Sequence, residues 1–161
     1  MYITYSEYTA RYDPIEEKVF DRLCFEACRA IDRLTAGLDG VKKLKVAFPV
    51  DEDSAAAVRH CAAAVINFLG QINEAEKSAS VARGYTETEN GLQGKVITSV
   101  TAGNESISFS SAQAQKTAAD VALKDLEYRN NHIRAIVREY LSGVTDANGV
   151  NLLYMGVYPR V

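Results

Sequence analysis

The chain has 161 residues, enough to bury a real core, and the simplest expectation is one domain over 1–161. A formal net charge of -3 and a sequence pI near 5.4 argue against a protein that coats DNA through a basic face. With 47% hydrophobic and 24% charged residues the balance is that of an ordinary globular protein, and no apolar run approaches the roughly 20 residues that span a bilayer.

Thr4-Tyr5-Ser6-Glu7 fits a capping box and predicts a short helix over 4–11. The opening residues carry no basic region and no long apolar stretch, so they do not read as a signal peptide. Asp13-Pro14 then predicts a helix start, with Asp13 as cap and Pro14 at the first helical position. Ile15, Val19, Leu23, Ala27, Ile31 and Leu34 recur at three and four residues as one apolar stripe, and Gly37 is the expected stop.

Residues 38–50 give no clear period. Asp51-Glu52-Asp53-Ser54 is an acidic start for the next helix, whose seam is Val58, Ala62, Val65, Leu69 and Ile72. After about residue 80 the glycines Gly84, Gly91, Gly94 and Gly103 break the helical period. Val, Ile, Thr, Ser and Phe dominate 95–110 around Ala102-Gly103-Asn104, which predicts a β-hairpin. A long helical segment follows over 112–141, with Ala118, Ala122, Leu126, Ile133, Val137 and Tyr140 on one side and an interruption expected at Asn130-Asn131. The chain closes on an apolar tail, Leu152-Leu153-Tyr154-Met155-Gly156-Val157-Tyr158, which must dock on its own domain or on another chain.

The expected fold is therefore mainly α: a small helical bundle, with its core over about 4–80 and 112–142, one β-hairpin insertion, and an extended C-terminal tail over about 144–161.

The search for chemistry yields little. Cys24 and Cys28 lie four apart, and His60-Cys61 lies on another helix. There is no CxxC knuckle, and adjacent side chains on a helix diverge by about 100°. Three cysteines, an odd number, fit reduced thiols in a cytoplasm. Gly91-Leu92-Gln93-Gly94-Lys95 fails the phosphate-loop pattern twice, at Glu89 and at Val96. Glu16-Glu17 and Asp51-Glu52-Asp53 sit at helix starts, where acids are favoured on electrostatic grounds alone. His132 has no carboxylate near it in sequence and reads as part of a solvated polar face. Lys42-Lys43-x-Lys45 is the one basic knot, able to meet a phosphate or an acidic partner but ordinarily a solvated helix face. The expectation is no enzyme, no cofactor and no metal.

The order of features resembles a known family. Thr4 to Tyr12 leads to Glu17-x-x-Phe20-x-x-Leu23 and Ile31-Asp32-x-Leu34-Thr35. The alanine-rich helix and the Ser/Thr segment Thr98 to Ser110 follow, then Tyr140-Leu141-Ser142-Gly143 and Leu152 to Val157. This looks like the head–tail connector (adaptor) proteins of long-tailed bacteriophages and prophages, with Val144 to Val150 lengthening the link to the tail. The resemblance implies a non-catalytic virion protein, made in the bacterial host cytoplasm and placed in the virion neck. Its copies would form a ring of about a dozen subunits, a heterologous assembly that closes on itself. The implied partners are further copies, the portal protein above, and downstream connector or tail proteins below. DNA passes through the channel without sequence-specific binding, and no membrane is involved. The expected assembly residues are Ile97, Val100, Ile107 and Phe109 in the hairpin and Leu152, Leu153, Tyr154 and Val157 in the tail. Removing 151–161 is expected to leave a folded helical monomer unable to assemble. The alternatives are a small cytoplasmic helical binding or regulatory module that forms no ring, and an enzyme using Cys61 or His60.

Overall fold

Backbone is described for residues 1–82, 85–88, 91–94 and 117–159 of a computed structural model, and side chains for 1–79 and 117–159. The capping box forms as expected at α1 (Tyr5–Thr9): the Glu7 N–H donates to Thr4 Oγ1 at 3.3 Å, and the Thr4 N–H donates to Glu7 Oε2 at 2.7 Å. This small helix matters for its aromatic face. Tyr8 is buried, stacked on Tyr12 at 5.6 Å and tilted against Phe20 at 5.5 Å, so α1 is wedged onto the next helix through rings.

α2 (Glu17–Leu34) begins later than Asp13-Pro14 suggests. The Tyr5 hydroxyl donates to the Ile15 carbonyl at 2.8 Å, and Glu16 is the extended N-cap with φ -56° and ψ 133°. The segment around Pro14 is thus tied to α1 rather than wound into the helix. Phe20, Leu23, Cys24, Ala27, Cys28 and Ile31 are the buried apolar positions of α2, while Ile15, Val19 and Leu34 sit at the margin. The stripe is rotated toward Phe20 and Cys24 relative to the expected one. The unclear stretch 38–50 contains a single turn, α3 (Lys43–Val46).

α4 (Glu52–Ala82) is the central helix. Asp51 caps it, accepting from the Ser54 N–H at 2.9 Å. Val58, Ala62, Val65, Leu69 and Ile72 are all buried as expected, joined by Cys61, Ala63 and Ile66. Contrary to the sequence expectation, Glu52–Ala79 is by length and composition apolar enough to cross a membrane. However, 61% of its most apolar window is buried inside the fold, which makes it the core helix against which α2 and the two later helices pack.

The expected long helix over 112–141 is two helices, α5 (Ala118–Lys124) and α6 (Leu126–Leu141). The break falls at Asp125, not at Asn130-Asn131. Asp125 is extended (φ -121°, ψ 103°); its N–H donates to the Val121 carbonyl while its carboxylate accepts from the Tyr128 N–H at 3.0 Å. One residue therefore closes α5 and opens α6. The register shift leaves Leu126, expected in the seam, 68% exposed, whereas Ile133, Val137 and Leu141 are buried. Asn131 stays helical and accepts from the Arg134 guanidinium at 2.9 Å.

Six helices among the described residues make the fold mainly α. A short antiparallel backbone ladder pairs β1 (Tyr85–Thr88) with β2 (Gly91–Gly94), upstream of the expected hairpin. The hairpin over 95–110 lies outside the described residues, together with Ile97, Val100, Ile107 and Phe109.

Candidate assembly surface

The tail docks on its own domain. After α6, Gly143 turns the chain with φ 79°, a conformation an L side chain resists. Asp146 then organises a tight loop: its Oδ1 accepts from the Asn148 and Val150 N–H groups, each at 2.9 Å, and Thr145 bridges Asn151 antiparallel. The Leu152 N–H donates to the Val144 carbonyl at 2.9 Å, which sends the Leu152 side chain into the core, where it is fully buried. Leu152 thus serves the fold, which corrects its expected place among the assembly residues. Leu153 is half-buried and packs on the core from the same segment.

What holds the tail down is the basic knot. Lys43 is fully buried, and its ammonium donates to three tail carbonyls: Asn151 at 3.2 Å, Leu152 at 3.0 Å, and Tyr154. A buried ammonium is costly unless its donors are satisfied, and here all three are. Burial pulls its pKa below the ordinary lysine value, with Asp146 and Asp39 opposing that shift. Lys45 stands 4.0 Å from the buried Asp32 carboxylate, which also accepts from the Tyr2 hydroxyl. Of the three lysines that the sequence offers as a solvated or ligand-binding face, Lys43 is an internal tie, while Lys42 and Lys45 stay exposed.

The outer end of the tail is fixed to the α2–α3 link. The Leu38 N–H donates to the Gly156 carbonyl at 3.0 Å, and the Tyr158 N–H to Asp39 Oδ2 at 3.3 Å. The Tyr158 hydroxyl donates to Asp146 Oδ2 at 2.6 Å and accepts from Asn148 Nδ2 at 2.9 Å. Gly37 permits this approach, since a Cβ there would stand 3.0 Å from the Gly156 carbonyl oxygen and 2.6 Å from Asp39 Oδ1. The tail is left with an apolar rim in solvent. Tyr154, Met155 and Val157 are 51%, 66% and 61% exposed, beside Leu38 at 79%. Of the tail residues expected to assemble, Val157 is exposed, and Tyr154 is half-exposed, its ring folded over Gly156 with the centroid 5.7 Å from the Lys43 ammonium.

Removing 151–161 would take away a core leucine and leave the buried Lys43 ammonium without acceptors. The truncation is therefore expected to unfold the domain, where the sequence reading expects a folded monomer.

The thiols sit in the interior. Cys61 is fully buried, and burial pushes its thiol up to about 12, far from a nucleophile at neutral pH. Cys24 and Cys28 are neighbours on α2; the Cys24 thiol donates to the Ile3 carbonyl at 3.9 Å, and the neighbouring Cys28 and burial hold its pKa above the ordinary cysteine value. His60 is half-exposed, with its pKa lowered by burial and by Arg11 and Arg59. His132, read from sequence as solvated, lies against Phe68 with ring centroids 4.3 Å apart. Among the described residues no group of His, Cys, Asp and Glu is gathered as a metal ion requires. No protein-family model, curated protein or solved structure matches the chain.

Proposed function

We propose that this chain is a structural virion assembly protein, a head–tail connector whose copies form a ring beneath the portal. In this reading the ring continues the DNA channel and offers a platform to downstream connector or tail proteins. The observation that carries it is the apolar rim of the docked tail, where Tyr154, Met155 and Val157 stand in solvent beside Leu38. Adjacent exposed apolar side chains on an ordered backbone suit a surface that another chain covers. The net charge of -3 is compatible with DNA passing without tight contact, since retention needs many neutralised phosphates. Negative-stain imaging of the chain mixed with its portal tests the reading. Annular density added beneath the portal supports it, and bare portals beside free monomer overturn it.

A second reading, a helical binding module that never forms a ring, draws on the tail's docking within its own chain, which satisfies the tail's backbone without a neighbour. It predicts a monomer or dimer and no ring under any condition.

A further inference from the structure

A groove of about 650 Å³ lies between α2 and the first half of α6. Arg29 and Arg33, four apart on α2, line it together with Arg129 of α6 and Lys42 from the segment before α3. Its two acids are already engaged. Glu26 lies 3.5 Å from the Arg129 guanidinium, and Asp32 holds the Tyr2 hydroxyl with Lys45 nearby. Arg33 and Lys42 make no ion pair among the described residues, and Arg29 rests only over the exposed Phe25 ring, 5.7 Å from its centroid. Leu126, stranded outside the seam by the break at Asp125, adds an exposed apolar side chain to the lining.

This is a cationic groove on a chain whose net charge is negative, so the rest of the surface is more acidic than the total suggests. An exposed leucine in the wall favours a polypeptide over a phosphate backbone. The fitting ligand is a short segment with an apolar residue leading into carboxylates. The chain carries one: Val50 is 84% exposed and runs directly into exposed Asp51, Glu52 and Asp53. Asp51 caps α4 and Glu52 faces Arg59, but both remain open to solvent and keep oxygen lone pairs to share.

We propose that the α2–α6 groove of one subunit receives Val50 to Asp53 of the next copy. The inference rests on the ring reading and deepens it by naming a subunit junction. The two surfaces differ, so the contact is heterologous, the type that rings require. Opposed charges would fix its register and speed the encounter.

Sedimentation velocity on the full-length chain, at low and high salt and with and without portal, tests the junction. One variant, Arg33→Glu with Lys42→Glu, spoils the groove; the other, Val50→Ser with Asp53→Asn, spoils the segment without offering a cation to the reversed groove. All four side chains are exposed, and unchanged circular dichroism verifies the fold of each variant. Each variant alone is expected to self-associate about tenfold or more weakly than wild type. Mixing the two should give a one-to-one heterodimer, because a single intact groove then meets a single intact segment. Variants that assemble like wild type overturn the junction and leave the ring reading standing. A wild-type chain that stays monomeric even with portal overturns both. Binding of a short DNA oligonucleotide that Arg33→Glu with Lys42→Glu abolishes would make the groove a phosphate site and overturn the assignment.

Discussion

The Lys43 ammonium donates to the Leu152 carbonyl across 3.0 Å, joining residues 109 positions apart in sequence. That bond and its two companions turn an apolar tail into part of the fold, and they separate what holds the chain together from what it can offer a neighbour.

Replacing Lys43 with Met keeps much of the side-chain volume but leaves three carbonyls without their donor. With each buried unsatisfied group costing about 1–3 kcal/mol, Lys43→Met should destabilise by about 3 kcal/mol. Urea denaturation followed by circular dichroism measures this; a loss under about 1 kcal/mol would show that water replaces the ammonium.

Leu152 and Val157 lie five residues apart with opposite roles. Leu152→Ala should cost about 2–5 kcal/mol of stability, the usual range for emptying a packed leucine site. Tyr154→Ser with Val157→Ser should leave the denaturation midpoint within about 0.5 kcal/mol of wild type while weakening assembly. The two assays should rank the variants oppositely.

Asp125→Ala removes one side chain that caps α6 at the point where α5 ends. The expected loss is about 1 kcal/mol, and Asp125→Asn, which can still accept from Tyr128, should recover most of it. Equal losses for both variants would mean that charge rather than capping matters there.

The starts of α1 and α4 were legible from sequence because their signals are local, whereas the equally local caps at Thr117 and Asp125 were hidden inside a segment rich in helix formers. Thr4 and Glu7 are three residues apart, as are Asp51 and Ser54, and each pair behaves as its spacing predicts. The seam of α4 was legible because burial follows the helical period there. Lys43 was not, because its acceptors lie more than a hundred residues away and a lysine between two others ordinarily signals solvent. The outward turn of Leu126 depends on one extended residue that no periodicity marks, so the α2–α6 groove could not be drawn beforehand. The tail read correctly as a segment needing a surface; which surface was a tertiary fact.

Alkaline pH should weaken the fold. Tyr2 sits above the ordinary tyrosine value of 10.0, through burial first and then its bond to Asp32. Tyr8, Tyr12 and Tyr158 are raised as well, chiefly by burial. Above pH 10 the unfolded chain gives up these protons first, so stability present below pH 10 is lost as pH rises toward the folded-state values. Lys43, lowered by burial, acts in the opposite sense as pH approaches 10.5. The tyrosines are the larger group, so the net slope should be negative. Tyr2→Phe should flatten it, as pH-dependent urea midpoints would show.

Native cysteine labelling bears on the enzymatic alternative. At neutral pH Cys61 should resist iodoacetamide until the protein unfolds, since its thiol lies near 12 and is fully buried. Fast labelling of Cys61 in the folded protein would revive a nucleophilic role.

The claim that this is a ring-forming connector is tested most directly by light-scattering mass across a concentration series, with and without portal. The 17.6 kDa chain should give a closed assembly of many copies at high concentration or on the portal, and Tyr154→Ser with Val157→Ser should stay at the monomer mass. A wild-type mass of 17.6 kDa under all of these conditions would contradict the account.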